Sequence, residues 1–315
     1  MVNDILGDAR VIDVVRQTNS KILAYFNLIE HPYQGGPDYR FLYSTDQAKE
    51  VQTKTLIITT ERINPIYLYG SYGVGKTTII QRMYKLLKTD AVFDARYVIL
   101  HNRVSANNLL RDLLALFNVK TEKSYDESLK NFQLFLLGKL PPEKSTKKPE
   151  KNALSEAPEK VSQTQKVPLL LLDEAQYLSR DALRLIHVLL NYESTRVKRI
   201  QIILAGQEKL ATNILNMGEL ASRMKAIQLS NMSPEELRKM LMHRWVVAGG
   251  KEDEFPFDID DSEVFGVLYD FTRGLPRDAI KVADDVLRYL FVRGRKKISA
   301  VEVETIAKEN NLQKT

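Results

Sequence analysis

The feature that most constrains the fold of this chain is a glycine-rich turn between an apolar run and a predicted helix. The apolar run covers 65–69, and the turn continues as Gly70-Ser71-Tyr72-Gly73-Val74-Gly75-Lys76-Thr77-Thr78. This is the pattern G-x-x-x-x-G-K-[ST], in the strand–turn–helix order that identifies a phosphate-binding loop. The sequence therefore predicts an α/β fold that binds a nucleoside triphosphate, with 70–78 as its nucleotide-binding residues.

The residue types of this turn suit contact with a polyphosphate. Gly70, Gly73 and Gly75 can adopt positive φ and let backbone N–H groups approach the phosphates. We expect Lys76 to reach the β- and γ-phosphates and the Thr77 hydroxyl to ligate Mg²⁺, a cation that prefers oxygen. The predicted ligands are therefore a nucleoside triphosphate and Mg²⁺, with Thr78 adding a hydroxyl toward the α-phosphate.

A second motif supports the first. Four consecutive leucines, 169–172, precede Asp173 and Glu174. Such a run is typical of a strand that is buried on both faces of a parallel sheet. At the carboxyl end of this strand, Asp173 is placed to hold Mg²⁺ through water or Thr77. Glu174 is the candidate general base that orients and polarises the attacking water. Together the motifs predict hydrolysis of a nucleoside triphosphate.

The composition is that of a globular protein, with 44% hydrophobic and 27% charged residues in 315. No apolar stretch approaches the length of a membrane span, and the first residues do not form a secretory signal. Since the sequence has no cysteine, disulfides and thiolate metal sites are excluded, and a reducing cytoplasm is the expected location. The net charge of +6 is compatible with nucleic-acid binding.

The chain divides into three predicted parts. A helical segment over 1–60 is expected to pack on a nucleotide-binding core over 61–231, and a helical lid over 232–315 follows. Within the core, strands predicted at 66–69, 96–100, near 169, at 200–205 and at 226–229 alternate with helices, which implies a parallel sheet. The stretch 141–166 has too few large apolar residues to bury and predicts a flexible insertion, either a plain solvated loop or an arm for DNA or a protein partner.

The order of these motifs resembles that of AAA+ ATPases, since a helical region with Gly274-Leu275-Pro276-Arg277 follows the core. Within that superfamily the chain resembles the ExeA/TniB/TnsC/MuB group. The strings that carry this resemblance are Tyr25-Phe26-Asn27-Leu28, His31-Pro32-Tyr33, Arg40-Phe41-Leu42-Tyr43, Asp173-Glu174-Ala175-Gln176 and Leu204-Ala205-Gly206-Gln207. The resemblance implies a P-loop AAA+ three-layer αβα core with a parallel five-stranded sheet, followed by a small all-helical lid domain.

The resemblance also implies further catalytic residues. Gln207, at the end of a strand, matches the first sensor, whose amide binds phosphate and water. Arg223 resembles the arginine finger that is given to a neighbouring subunit, where a cation stabilises charge that develops at the γ-phosphate. Arg277 resembles the second sensor, which couples the lid to the nucleotide. The other arginines that could serve as the finger are Arg180, Arg196 and Arg199.

A finger that acts on a neighbour implies a homo-oligomer, as a hexameric or heptameric ring or a helical filament. In TnsC- and MuB-like proteins the oligomer wraps double-stranded DNA and passes target-site choice to a transposase or target-selector protein. The residues that this resemblance suggests for DNA binding are Asn102, Arg103, Ser105, Lys120 and Lys123.

The leading hypothesis from the sequence is an ATP-dependent, DNA-binding regulator of transposition that marks target DNA and recruits or activates a transposase. A secretion-type, ExeA-like assembly ATPase is one alternative, although such proteins usually add a membrane span and a wall-binding module, and no membrane partner is expected here. A replication-initiator-like or clamp-loader-like ATPase is another. A helicase is less favoured, because one glycine-rich core offers no second motor domain.

Overall fold

A computed structural model of the protein describes residues 9–34, 39–62, 64–140, 166–194, 197–257 and 262–314. The described residues group into two compact units. We call Ala48–Ser71 with Ile79–Leu229 the sheet unit, and Met1–Gln47, Tyr72–Thr78 and Ser230–Thr315 the helical unit. The insertion predicted over 141–166 lies outside the described residues except for Lys166. The boundaries predicted at 60 and 231 stay predictions.

The sheet unit is built on parallel strands. The strands of the described chain are β1 (Ile66–Tyr69), β2 (Phe93–Ile99), β3 (Val167–Asp173), β4 (Glu193–Ser194), β5 (Val197–Lys198), β6 (Gln201–Gly206) and β7 (Lys225–Gln228). Five of them form one sheet in the order β2-β3-β6-β1-β7, and every neighbouring pair in it is parallel. The predicted parallel five-stranded sheet is therefore confirmed, while β4 and β5 form a separate antiparallel hairpin.

The described chain also contains helices in both units, and strand β3 is buried on both faces. The helices of the described chain are α1 (Ala9–Phe26), α2 (Asp46–Glu61), α3 (Lys76–Lys88), α4 (Ala106–Leu116), α5 (Tyr125–Leu136), α6 (Arg180–Leu190), α7 (Glu208–Leu215), α8 (Gly218–Ala221), α9 (Pro234–Val247), α10 (Ser262–Thr272), α11 (Pro276–Arg293) and α12 (Ala300–Glu309). Leu169, Leu170, Leu171 and Leu172 of β3 are all at most 1% exposed. Since neighbouring residues of a strand point to opposite faces, both faces of β3 are buried.

The predicted bounds of several elements need correction. β2 begins at Phe93, three residues before the predicted start at 96. The sequence does not show this start because Asp94 and Arg96, which form an ion pair at 3.0 Å, interrupt the apolar pattern. The predicted strands at 200–205 and 226–229 lie at Gln201–Gly206 and Lys225–Gln228. Within the segment predicted to be helical over 1–60, the first helix ends at Phe26, since the following Asn27 has a positive φ of 56° that terminates the helix.

The helical unit has its own core, with Trp245 of α9 near its centre. The Trp245 ring meets those of Phe26 and Phe255 at centroid distances of 5.9 and 6.1 Å. The start of α9 shows the capping that its sequence predicts, with Ser233 as N-cap and Pro234 in the first turn. Among the described residues, no helix has the length and apolar character needed to cross a membrane.

The strings near the N-terminus that carried the subgroup resemblance have a packing role in this unit. Arg244 of α9 is buried and donates hydrogen bonds to the carbonyl oxygens of Pro32 at 2.8 Å, Gln34 at 3.2 Å and Phe41 at 3.2 Å. The Tyr33 hydroxyl donates to the Leu241 carbonyl at 3.2 Å. The segment after α1 is therefore held on α9 by its backbone.

Candidate active site

One edge of the sheet collects the predicted catalytic segments of the sheet unit. Because β1, β3 and β6 run parallel and adjacent, their carboxyl ends lie at the same edge. Those ends are Tyr69, Asp173 and Gly206. The phosphate loop continues directly from β1 through Gly70 and Ser71, and the Ser71 hydroxyl donates to Glu208, at the start of α7, at 3.3 Å.

The loop has the backbone that a phosphate cradle needs. Gly73 and Gly75 have φ of 85° and 108°, in the region that favours glycine. A Cβ on Gly75 would meet no atom within 4 Å, so space is open beside it. Helix α3 then begins at Lys76, which is 8% exposed, and Thr77 and Thr78 lie half-buried in its first turn. Positive-φ glycines next to a helix N-terminus fit a bound polyphosphate.

Arg277, the second residue of α11, lies against this loop within the helical unit. Its guanidinium carbon is 4.2 Å from the centroid of the Tyr72 ring, a cation–π contact. A Cβ placed on Gly73 would lie 3.0 Å from the Cβ of Arg277. The structure therefore brings the predicted second sensor next to the middle of the phosphate loop.

Two hydrogen bonds orient the side chain of Asp173. It is 2% exposed, and it accepts hydrogen bonds from the Tyr97 hydroxyl at 3.1 Å and from the Glu174 backbone N–H at 2.9 Å. The Gln81 amide donates to the Tyr97 oxygen at 3.4 Å. Burial raises the pKa of Tyr97, and the Asp173 carboxylate raises it further, so the hydroxyl remains a neutral donor. The two donors fix the orientation of the Asp173 carboxylate, whose oxygens are the kind of ligand that suits a Mg²⁺ ion.

Glu174 leaves the strand in a left-handed conformation, with φ 55° and ψ 36°. Its carboxylate accepts a hydrogen bond from the Gln176 amide at 2.5 Å. The amide oxygen of Gln176 in turn accepts from the backbone N–H of Gln207 at 3.1 Å. A Cβ on Gly206 would lie 2.8 Å from that oxygen, so glycine leaves room for the Gln176 side chain. Gln176 therefore links the predicted base to the predicted first sensor.

Comparison with known proteins identifies the core. Residues 60–214 match the family model described as "AAA domain". Residues 60–214 therefore carry an AAA domain. The chain is also 24% identical over 294 residues to General secretion pathway protein A of Aeromonas hydrophila. The aligned region covers 90% of this chain and 48% of that protein. The chain therefore spans about half the length of that curated relative.

Two groups of solved structures share the fold of this chain. Cdc6p of Pyrobaculum aerophilum is 17% identical with a TM-score of 0.61, over 90% of this chain and 72% of that one. ORC2 of Aeropyrum pernix, solved in complexes with ADPNP and ADP, is 16% identical with a TM-score of 0.53, over 84% of this chain and 67% of that one. At these identities the likeness shows the fold alone, and the predicted P-loop AAA+ fold is confirmed.

Arg223 of the AAA+ domain is not brought to the edge where the carboxylates lie. It follows α8 and lies two positions before the start of β7, and β7 runs parallel to β1 from its first residue, Lys225. Arg223 thus lies at the amino-terminal edge of the sheet, about 13–20 Å from the carboxyl ends at ~3.3 Å per strand residue. Of the rival arginines, Arg180 begins α6, Arg199 is exposed and Arg196 lies outside the described residues.

The residues suggested for DNA binding fall at the two ends of α4. Asn102 and Arg103 are exposed after β2, and Ser105 caps α4 by accepting a hydrogen bond from the Asn108 N–H at 3.3 Å. Beyond the other end of the helix, Lys120 forms an ion pair with Glu122 at 2.7 Å and Lys123 is exposed. Because α4 has 11 residues, its ends are about 16 Å apart.

Sequence reasoning assigned no role to Tyr97, Gln176 or Gly206. Tyr97 carries no local signal, since its partner Asp173 lies 76 positions away in the chain. Gln176 and Gly206 did stand in the strings that carried the family resemblance. A glutamine two residues after the predicted base, together with a glycine at the end of the next strand, was the available signal.

Proposed function

We propose that this protein is an ATP-dependent, oligomerising, DNA-binding regulator of transposition, which marks target DNA and recruits or activates a transposase. The observation that carries the proposal is the placement of Arg223 at the sheet edge opposite Asp173 and Glu174. An arginine that serves ATP hydrolysis from that position must act on the nucleotide of a neighbouring copy. ATP binding would then be coupled to assembly, and hydrolysis to release.

The residues of each unit have distinct roles in this proposal. In the helical unit, Lys76 and the loop N–H groups bind the phosphates, Thr77 ligates Mg²⁺, and Arg277 reports the nucleotide to α11. In the sheet unit, Asp173 would help to hold Mg²⁺. When bound, Mg²⁺ neutralises phosphate charge and so makes the γ-phosphate a better electrophile.

Glu174 is the general base of the proposed reaction. It accepts a proton from a water molecule as the water oxygen bonds to the γ-phosphorus and the bond to the β–γ bridging oxygen breaks. The amide of Gln207 orients that water, and the neighbour's Arg223 stabilises the charge that develops on the departing ADP. The carboxylate of Glu174 must be released from the Gln176 amide for this role.

Exposed cations support the DNA-binding part of the proposal. Arg103, Lys120 and Lys123 lie on the sheet unit, and the whole chain carries a net charge of +6. Phosphate contacts made by such residues release counterions from DNA, so the affinity should fall steeply as salt is raised.

The test combines nucleotide, DNA and a matched variant. We expect the full chain to bind a fluorescent duplex and to form oligomers with ATP or a slowly hydrolysed analogue, but not with ADP. Anisotropy and electron microscopy measure the two events, and Lys76→Ala should abolish both. A wild-type chain that binds the analogue but no duplex at any salt concentration would refute the DNA-binding proposal.

A second candidate function is a secretion-type assembly ATPase. The 24% identity over 294 residues to General secretion pathway protein A favours it. An ATPase rate that duplex DNA leaves unchanged, with no DNA binding, would support this candidate, as would a gene located among secretion genes. A neighbouring transposase gene would support the transposition proposal. A replication-initiator-like function rests on fold likeness to Cdc6p and ORC2 alone.

A further inference from the structure

A polar cavity of about 760 Å³ opens in the sheet unit next to Gln176. Its lining includes the cations Arg103, Arg180 and Lys209 and the amides Asn213 and Asn216, and it contains no carboxylate. In the part of the chain that the structure describes, no ion pair joins any of these cations to an acidic side chain. The side chains that line the cavity therefore carry positive charge and no negative charge.

These cations come from separate parts of the fold. Arg103 follows β2, Arg180 is the first residue of α6, and Lys209 is the second residue of α7. Helices α6 and α7 both begin there, with Ser179 and Gln207 as N-caps, so two positive helix ends add to the side-chain charge. Three cations and two amides around one cavity are the donors that suit a phosphate group.

Gln176 is both a wall of this cavity and a partner of the predicted catalytic base. It is 8% exposed, and its amide already joins the Glu174 carboxylate to the Gln207 N–H. An amide NH₂ group has two N–H donors, so the group that donates to Glu174 can also donate to an acceptor in the cavity, and rotation toward that acceptor would lengthen the bond to Glu174. The cavity and the catalytic carboxylate are thus separated by one side chain.

We propose that the cavity binds a phosphate of the DNA backbone and that Gln176 transmits its occupancy to Glu174. This inference rests on the proposed DNA-binding function. A phosphate held by Arg103, Arg180 and Lys209 accepts a hydrogen bond from the Gln176 amide, which loosens the bond to Glu174. The freed carboxylate then polarises water, so DNA raises the rate of ATP hydrolysis.

Lys209→Gln tests the binding step, with Lys225→Gln as its control. Both lysines are exposed, but Lys225 begins β7 at the amino-terminal edge of the sheet, away from the cavity. With a 30-bp duplex and a slowly hydrolysed ATP analogue, we expect Lys209→Gln to weaken binding and to reduce the slope of log K against log salt by about 1. Its ATPase rate without DNA should stay at the wild-type value, and Lys225→Gln should bind as the wild type does.

Gln176→Met tests the transmission step. The substitution keeps the length of the side chain and all three cations, so we expect duplex affinity within about twofold of wild type, since no phosphate cation is removed. The ATPase rate should no longer rise when duplex is added, whereas the wild-type rate does. The rate of phosphate release is measured with and without saturating duplex, and the ratio of the two rates gives the stimulation by DNA for each variant.

The possible results separate this inference from the proposed function. If wild-type protein binds duplex but Lys209→Gln and Lys225→Gln have equal affinity and salt slope, the cavity is not a phosphate site. If Gln176→Met is stimulated by DNA as the wild type is, the transmission step is wrong. If the wild type binds no duplex with the analogue present, the DNA-binding function itself fails.

Discussion

Substitution by alanine is expected to have opposite effects at two glycines of the helical unit. Gly274 precedes α11 with a φ of 73°, and a Cβ there would overlap the carbonyl oxygen of Met232 and lie 3.0 Å from its carbonyl carbon. Gly266 lies within α10, and a Cβ there would meet no atom within 4 Å. We expect Gly274→Ala to destabilise the helical unit and Gly266→Ala to stabilise it.

The magnitudes follow from these contacts. At Gly274, the left-handed backbone costs alanine about 1 kcal/mol relative to glycine, and the overlap with Met232 adds about 1–3 kcal/mol. If the backbone at 274 moves to relieve the overlap, the 2.9 Å hydrogen bond from the Met232 N–H to the Gly274 carbonyl is weakened. Loss of that bond costs about 1 kcal/mol. Gly274→Ala should thus lower the free energy of unfolding by about 3–5 kcal/mol. Gly266→Ala should raise it by about 0.5–1 kcal/mol, because alanine has less backbone entropy to lose.

The assay uses the one tryptophan of the sequence. Trp245 is 0% exposed in the core of the helical unit, so its fluorescence reports the unfolding of that unit. Urea titrations give the midpoint and the slope m for each variant, and their product gives the free energy of unfolding. The midpoint should fall for Gly274→Ala and rise slightly for Gly266→Ala.

Either of two results would refute this reasoning. A midpoint for Gly274→Ala at or above the wild-type value would mean that the backbone at 274 is neither left-handed nor in contact with Met232. A clear fall in the midpoint for Gly266→Ala would mean that position 266 is not an open site in a regular helix.

Three further predictions concern catalysis and packing. Glu174→Gln should bind a fluorescent ATP analogue normally but release phosphate about 10²–10⁴-fold more slowly, whereas Lys76→Ala should not bind the analogue; normal hydrolysis by Glu174→Gln would exclude it as the base. Arg223→Ala should be inactive alone and regain phosphate release when mixed with Glu174→Gln, because each copy supplies what the other lacks; no regain would argue against action on a neighbour. Arg244→Met should lower the free energy of unfolding, followed by circular dichroism in urea, by about 3–5 kcal/mol, since three backbone carbonyls lose their donor; an unchanged midpoint would contradict that role.

The sequence by itself determined the features that depend on adjacent residues. The phosphate loop was predictable because its glycines and the following Lys76 form one contiguous pattern, and the φ values of Gly73 and Gly75 agree with it. The buried strand β3 and the capped start of α9 were predictable for the same reason. Apolar runs and capping residues act within a few positions, so local sterics and hydrogen bonding decide them.

Only the tertiary structure decided which distant side chains meet. The sheet order β2-β3-β6 sets Tyr97 against Asp173 and the Gln176 amide against the end of β6, and no periodicity in the sequence specifies that order. The cluster of Arg103, Arg180 and Lys209 has the same origin, since the three residues come from separate segments that only the folded chain brings to one cavity. Contacts between residues far apart in the chain depend on how whole elements pack, because burial of their apolar faces, not local preference, selects the arrangement.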